Sequence, residues 1–272
     1  MSVLALVIVS VSVFMLGYLL NMFYITVFYH RGLAHNALEM KPRVKKFISK
    51  TGIWVTGIDP KTWIAMHRKH HEHSDTENDP HSPINCKRPL DMFMVQYKSY
   101  ARMLTRLIKK DPIAHANVDD LGFDVHPIMV KGYWYLPYLI QLILSVIIGT
   151  LTNPIIGISY WAGIMSHPIQ GWMVNYYGHH SGYRTFSLDD DSRNNIIVGV
   201  LTMGEGLQNN HHKYPHSAKF SILPKEVDLG YYMCTTARAL GIISKIHVVK
   251  ATFDPENELP DVDRKNNEWN KR

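Results

Sequence analysis

The chain has 272 residues, which is enough for one domain with a substantial core and too few for two. Its net charge of +6 comes without a basic helix carrying interleaved aromatic residues, so nucleic-acid binding is not predicted. The excess charge better fits a surface that meets anionic lipid headgroups. Cys86 and Cys234 lie far apart and outside any CxxC pattern, so neither a disulfide framework nor a thiolate metal site is predicted.

Three apolar segments predict transmembrane helices. Residues 3–28 form an almost unbroken apolar run without a charged residue, longer than the roughly 20 residues that cross a bilayer. We expect a span here and not a secretory signal peptide, because the run lacks a basic start and a small-residue cleavage site. Further apolar segments at 134–151 and 155–174 flank Thr152-Asn153-Pro154, a tight-turn sequence. They predict a transmembrane hairpin.

The remaining regions have distinct compositions. Residues 47–58 are apolar over only about a dozen positions, which predicts an interfacial or partly buried helix. The segment from Arg31 to Lys131 is rich in lysine and arginine, whereas residues 1–30 and the hairpin turn have none. By the positive-inside rule this segment and the C-terminus are cytoplasmic. Residues 253–272 are dominated by polar side chains and are predicted to be poorly ordered.

Most of the sixteen histidines fall into four short groups beside the apolar segments. The first group contains His30 and His35. On a regular α-helix two residues five apart point about 140° away from each other, so this pair could serve two different ions unless the helix breaks. The second group places His67, His70 and His71 at positions i, i+3 and i+4, along one helical face.

The third and fourth groups repeat the i, i+4 spacing. Asn175 and His179 form the third, and Gln208 and His212 form the fourth, with His211 beside them. An isolated histidine is more often a hydrogen-bonded surface or core residue than a ligand. About eight histidines without thiolates, however, exceed the four ligands of one tetrahedral zinc. We therefore expect a dinuclear site, with iron preferred because oxygen-dependent chemistry on an unactivated substrate needs a redox-active ion.

At these residues the sequence resembles the membrane fatty acid desaturase family, specifically its acyl-CoA and acyl-lipid desaturases. HRGLAH at 30–35 resembles the H-x4-H box of the family, and HRKHH at 67–71 resembles its H-x2-H-H box. GEGLQNNHHKYPHSAKFS at 204–221 is similar to the third box, and WMVNYYGHHSGYR at 172–184 to the segment that supplies a further histidine ligand and a nearby asparagine. The resemblance covers about residues 30–220.

The segments and boxes together predict an all-α integral membrane protein with about three transmembrane helices and a cytoplasmic helical cap that holds a histidine-rich di-metal site. Residues 1–252 would form the desaturase domain. The resemblance implies that Asn175 reaches an iron through a water, and that Gln208, where many members have histidine, binds iron or a coordinated water. Trp63 and Trp172 are expected to line the acyl tunnel, with interface anchors or core aromatics as the alternative. The implied iron ligands are His30, His35, His67, His70, His71, His179, His211 and His212.

The implied reaction is oxygen-dependent desaturation of an acyl chain, with two iron ions as cofactor and dioxygen as co-substrate. Because no haem segment or dinucleotide fingerprint is present, a separate ferredoxin-like or cytochrome-b-type donor and its reductase would supply electrons. The carboxylates of Asp75, Asp79 and Glu205 either fix the histidine tautomers or lie on the surface. A hydroxylase on the same scaffold is the alternative, and a non-catalytic membrane metal carrier is a weaker one, since among the histidines only His167 lies within a span.

Overall fold

The computed structural model describes residues 1–250, and its architecture is mostly helical. The predicted polar tail at 253–272 lies outside the described residues. The α-helices are α1 (Val3–Met22), α2 (Pro42–Thr56), α3 (Pro60–His73), α4 (Asp91–Ile108), α5 (Pro112–Ala116), α6 (Pro127–Val130), α7 (Leu136–Leu151), α8 (Pro154–Ile164), α9 (His167–Trp172), α10 (Gly178–His180), α11 (Ile196–Leu201), α12 (Gln208–Lys213) and α13 (Leu229–Ala239). Two π-helical segments, Phe23–Ala34 and Met173–Tyr177, and two strands, β1 (Leu38–Met40) and β2 (Ile243–Ile246), complete the main elements.

The first predicted span begins as α1 and continues directly into the π-helical segment Phe23–Ala34. The combined helix Val3–Ala34 is long and apolar enough to cross a membrane. Only 11% of its most apolar 18-residue window is buried, so most of these side chains face outward. In the π-helical part the N–H groups reach back five residues instead of four, as in the 3.1 Å bond from His35 N–H to the carbonyl of His30.

The predicted hairpin is present as α7 and α8 around Thr152-Asn153-Pro154. Asn153 caps α8 by accepting the N–H of Ile155 at 3.0 Å, and Pro154 is the first helical residue. The segment 155–174 is not the single helix that we expected. It breaks at Met165 and Ser166, and a new helix starts at His167. Pro168 lies in the first turn of this helix, and because proline lacks a backbone N–H it cannot extend the hydrogen bonding of α8. How many of these shorter apolar helices cross the membrane stays a prediction.

Small residues allow α1 and α8 to pack closely. A Cβ atom added at Gly17 would lie 2.9 Å from the backbone nitrogen of Ile164, and one at Gly163 would collide with the backbone of Phe14. Asn21, which is fully buried, donates its amide to the carbonyl of Ile164 at 2.9 Å. Close backbone approach and a polar contact between helices are the two devices that hold apolar helices together in lipid.

The strands correct the all-α expectation. β1 and β2 pair antiparallel, with Leu38 opposite Ile246, and form a two-stranded sheet. The pairing escapes prediction because each strand is very short and its partner lies near the opposite end of the described chain. The sheet packs the segment after His35 against the end of α13.

Candidate metal centre

The helices that carry histidines are fixed by local capping. Asp59 caps α3 by accepting the N–H of Thr62 at 2.8 Å, and its second carboxylate oxygen accepts the N–H of His126 at 2.9 Å. Pro60 occupies the first helical position. This anchored start sets the rotation of α3, and therefore the direction in which the imidazoles of His67, His70 and His71 point.

A five-histidine cluster forms where the π-helical segment meets α3 and α12. One nitrogen from each residue lies within 4.8 Å of every other in the group. The helix is not regular here: the π-helical turn brings His30 and His35, which are five residues apart, onto the same face and into one group. Whether they bind the same ion stays a prediction. The members of the five-histidine cluster are His30, His35, His67, His71 and His211.

A three-histidine cluster lies beside it, formed by His70, His179 and His212. Its three ligand nitrogens also lie within 4.8 Å of one another. The ring of His212 lies 4.4 Å from the ring of His71, so the two clusters are adjacent. All eight histidines that the sequence singles out as candidate ligands therefore fall into two neighbouring groups, each of which could hold a metal ion.

In four of these histidines, the ring nitrogen that points away from the cluster, Nδ1, donates a hydrogen bond to a buried carboxylate. Nδ1 of His30 donates to Glu205 at 2.5 Å. In three further pairs, named below, a histidine Nδ1 donates to an aspartate carboxylate at 2.8 Å. Because an ionised carboxylate only accepts, each of these Nδ1 atoms carries a proton, and in the neutral ring the Nε2 atom then carries a lone pair. The remaining pairs are His70 with Asp79, His179 with Asp75, and His212 with Asp190.

This arrangement points lone pairs at one another. Nε2 of His70 lies 3.3 Å from Nε2 of His212, and when both rings are neutral with Nδ1 protonated, neither Nε2 has a proton to share. Nε2 of His179 is buried without a hydrogen-bond partner among the described residues. Converging lone pairs repel unless a cation lies between them, so the donor set fits a bound metal ion.

The spacing also suits metal ligation. With metal–nitrogen bonds of about 2.1 Å, two imidazoles about 90° apart place their nitrogens about 3 Å from each other. In the five-histidine cluster the Nε2 atoms of four neighbouring pairs lie 2.8, 2.9, 3.1 and 3.1 Å apart. The donor set contains imidazole without thiolate, which suits iron as well as zinc or copper.

Burial keeps most of these imidazoles neutral. It lowers the pKa of His67, His71 and His211 well below the usual value, and neighbouring imidazoles lower it further. Burial also lowers the pKa of His212 to about 4, although the hydrogen bond to Asp190 opposes this shift. Neutral imidazole is the form that binds metal, so little proton release is needed at these positions.

Two asparagines inside the fourth histidine group hold α12 in place. Asn209 accepts the backbone N–H groups of Thr185 and Phe186 at 2.8 and 2.7 Å. Asn210 donates to the carbonyl of Phe220 and to Glu226, both at 2.9 Å. These bonds are formed at almost completely buried positions, so the two asparagines fix the orientation of His211 and His212, which follow them directly.

Arg31, in the first histidine group, forms the centre of a buried ionic network. It is 0% exposed and donates to Glu205 at 2.6 Å and to Asp228 at 2.9 Å. Its Nε donates to the carbonyl of Ala218, and its guanidinium stacks on Phe220 at 3.9 Å. Because Glu205 also accepts from His30, the network ties the metal centre to α13, which Asp228 caps.

A cavity of about 550 Å³ adjoins the metal centre. Trp63 lies in its wall and stacks on His67, with ring centroids 4.9 Å apart. Trp172 is not among its lining residues in the described chain: it stacks on Phe93 and donates to the carbonyl of Pro89. The wall also contains Ile25, Ile58, Leu104, Tyr100, Trp134 and Tyr138, which suit an apolar chain.

Asn175 and Gln208 also lie in the cavity wall. The Asn175 amide donates to Gln96 at 3.0 Å, and the Gln208 amide donates to the carbonyl of Glu205 at 2.6 Å. Sequence reasoning missed Asp190, which lies between two other acidic residues and had no spacing that marked it. It also missed His81, which is buried with neither ring nitrogen hydrogen-bonded in the described chain.

We expect Gln208→Ala to lower iron content and activity by about 10-fold to 100-fold, the usual effect of losing a partner of metal ligands. Gln208→His should keep more iron than Gln208→Ala, because an imidazole replaces the polar group. Gln208→Leu matches the volume of glutamine without its polarity and serves as the control. Full iron content in the leucine variant, measured by elemental analysis, would show that Gln208 only fills space.

Comparison with known proteins gives consistent results. A model of the family described as fatty acid desaturase matches residues 5–228. The chain is 28% identical over 223 residues to acyl-CoA C20 Delta5-desaturase of Anemone leveillei, 27% over 237 residues to icosanoyl-CoA 5-desaturase of Limnanthes douglasii, and 29% over 230 residues to Delta-9 acyl-lipid desaturase 1 of Arabidopsis thaliana. The matches cover 82, 87 and 82% of this chain and 69, 64 and 70% of these relatives. The chain thus spans about two thirds of their length.

Proposed function

Because the chain belongs to the fatty acid desaturase family, we propose that it introduces a cis double bond into a fatty acyl chain at two iron ions held by the eight clustered histidines. The observation that carries the proposal is the pair of adjacent histidine clusters with buried carboxylates on their far nitrogens. When bound, the iron ions supply the redox chemistry with dioxygen that unactivated methylene groups require.

The residues of the chain would position the substrate and the ligands. The cavity offers an apolar wall for the acyl chain, in which Trp63 stacks on His67. Glu205, Asp79, Asp75 and Asp190 hold the imidazoles in the tautomer that ligates metal. Although burial raises the pKa of Asp79, interaction with His70 brings it down to about 2, so this carboxylate stays ionised and keeps accepting.

The proposed setting is a membrane, with the metal centre on the cytoplasmic side. The long apolar helix Val3–Ala34 supports membrane association, and the five-histidine cluster begins at its polar end. The excess of lysine and arginine in the segment 31–131 supports the cytoplasmic assignment. Acyl-CoA and acyl-lipid are both candidate substrates, since named relatives use one or the other.

We expect expression of the chain in a host that lacks the activity to yield acyl chains with a new cis double bond. Mass spectrometry of total fatty acids with double-bond localisation measures this product. A His70→Ala variant, expressed to the same level, provides the matched control. Hydroxylated acids without new double bonds would instead support the hydroxylase alternative, and no lipid change together with bound metal would support the metal carrier.

We also expect the purified protein to contain about two iron ions per chain, because eight imidazoles exceed the ligands of one mononuclear site. Elemental analysis after purification under mild conditions measures the ratio. A chelated sample reloaded with ferrous iron should return to the same value. One zinc and no iron per chain would contradict the di-iron assignment.

A further inference from the structure

A basic pocket of about 440 Å³ lies on the other side of α4 from the acyl cavity. Lys98, Arg102 and Arg106 line it from α4, and their spacing of four residues places them on one helical face. Lys69 faces them from α3. Arg106 pairs with Asp111 at 3.0 Å, whereas Lys69 and Lys98 form no ion pair with any residue in the described range 1–250. Four basic side chains thus face two acidic ones, Glu77 and Asp79, in the pocket wall, which leaves an excess of positive charge among the residues that the structure describes.

The inner wall of this pocket reaches the metal centre. Asp79 lines the pocket and is 3% exposed, and its carboxylate accepts from Nδ1 of His70 at 2.8 Å. One hydrogen bond thus separates the pocket wall from a histidine of the three-histidine cluster. The opposite face of α4, with Tyr100 and Leu104, lines the acyl cavity, so an occupant of the basic pocket leaves the cavity free.

We propose that the basic pocket is the docking surface for an acidic one-electron carrier protein, which delivers electrons to the metal centre beside Asp79 and His70. This inference rests on the proposed function. Desaturation removes two electrons and two protons from the acyl chain, while reduction of dioxygen to two waters takes four of each. The other two electrons come from two molecules of a reduced iron–sulfur or haem carrier, each of which is oxidised by one electron, and the other two protons come from water.

The charges favour a protein over a small phosphate ligand. Asp79 and Glu77 both lie in the pocket wall and would repel a phosphate group that entered deeply. An acidic protein can instead contact the rim, where Lys98 and Arg102 are exposed. Encounter complexes between redox proteins are small and transient, and opposite charges steer their formation.

The test compares two double variants with the same change in charge. Lys98→Glu with Arg102→Glu alters the pocket, and Arg43→Glu with Lys46→Glu alters exposed positions on α2. Each iron-loaded protein, in phosphatidylcholine nanodiscs, is mixed anaerobically with a reduced acidic [2Fe–2S] ferredoxin and, in parallel, with a reduced acidic soluble cytochrome b domain. Stopped-flow absorbance follows carrier oxidation. We expect the pocket variant to be slower by about tenfold or more at low salt, and the difference to shrink towards 1 M salt.

Several outcomes would overturn the docking proposal. One is equal rates for the two double variants, and another is reduction by neither carrier while dithionite reduces the iron. A third is inhibition by inorganic phosphate that exceeds inhibition by chloride at the same ionic strength, since this would identify an anion site. Dithionite-reduced protein given oxygen and acyl substrate separates this test from the proposed function. The pocket variant should form as much product per chain as the unaltered protein, whereas no product from the unaltered protein would refute the desaturase proposal.

Discussion

His71→Ala is expected to abolish activity, with a loss of more than about 100-fold, and to remove at least one metal ion per chain. His71 lies within 3.1 Å of both His67 and His211, measured between Nε2 atoms, and its ring contacts the ring of His212. It therefore stands between the two clusters. Losing a residue that only supports a ligand already costs about 10-fold to 100-fold, so losing a residue in the cluster itself should cost more.

The matched control is His73→Ala on the same helix. His73 belongs to neither cluster, and its side chain is 35% exposed near Glu72. We expect this variant to retain both metal ions and nearly full activity. Elemental analysis and fatty acid profiling measure the two effects together. Two metal ions per chain in His71→Ala would show that the cluster does not bind metal as proposed.

Arg31→Met is expected to reduce the free energy of unfolding by about 3–5 kcal/mol, the range for breaking a buried ion pair. Arg31 is fully buried between Glu205 and Asp228. Methionine would fill much of the volume, but it would leave two buried carboxylates facing each other without a cation. Chemical unfolding of the detergent-solubilised protein, followed by circular dichroism, measures the change.

Two further variants define the source of this loss. Arg88 pairs with Asp91 at 3.1 Å, but its side chain is 81% exposed, so Arg88→Met should cost less than about 1 kcal/mol. Adding Asp228→Asn to Arg31→Met removes one of the stranded charges and should recover part of the stability. If Arg31→Met is no more harmful than Arg88→Met, the buried network does not stabilise the fold.

The family and the positions of the boxes were accessible from the sequence because the signal is local. The i, i+3, i+4 spacing of His67, His70 and His71 needs only a helix to bring the rings onto one face, and α3 is that helix. The resemblance to fatty acid desaturases is confirmed by the family match over residues 5–228. The assignment of individual ligands stays a prediction, although the structure brings the eight histidines together.

The features that were missed depend on contacts between distant parts of the chain. Asp190 meets His212 across a loop, and Asp228 meets Arg31 from almost 200 residues away. Neither carboxylate has a periodic neighbour that would mark it. The break at Met165 escaped prediction because both sides of it are apolar, so hydropathy alone continues across the gap.

The π-helical segment Phe23–Ala34 also fixes the rotation of α1 relative to the histidines, because it joins the two directly. Each residue of a regular helix turns the chain by about 100°, so deleting one residue between His30 and Phe23 would turn α1 by about that angle relative to the histidines. Gly17 would then leave the close contact with α8, and larger side chains would meet the backbone of Ile164 instead. The number of residues in this segment is thus constrained from both ends, by helix packing on one side and by ligand direction on the other. Single-residue deletions here should be harmful even where no histidine is removed.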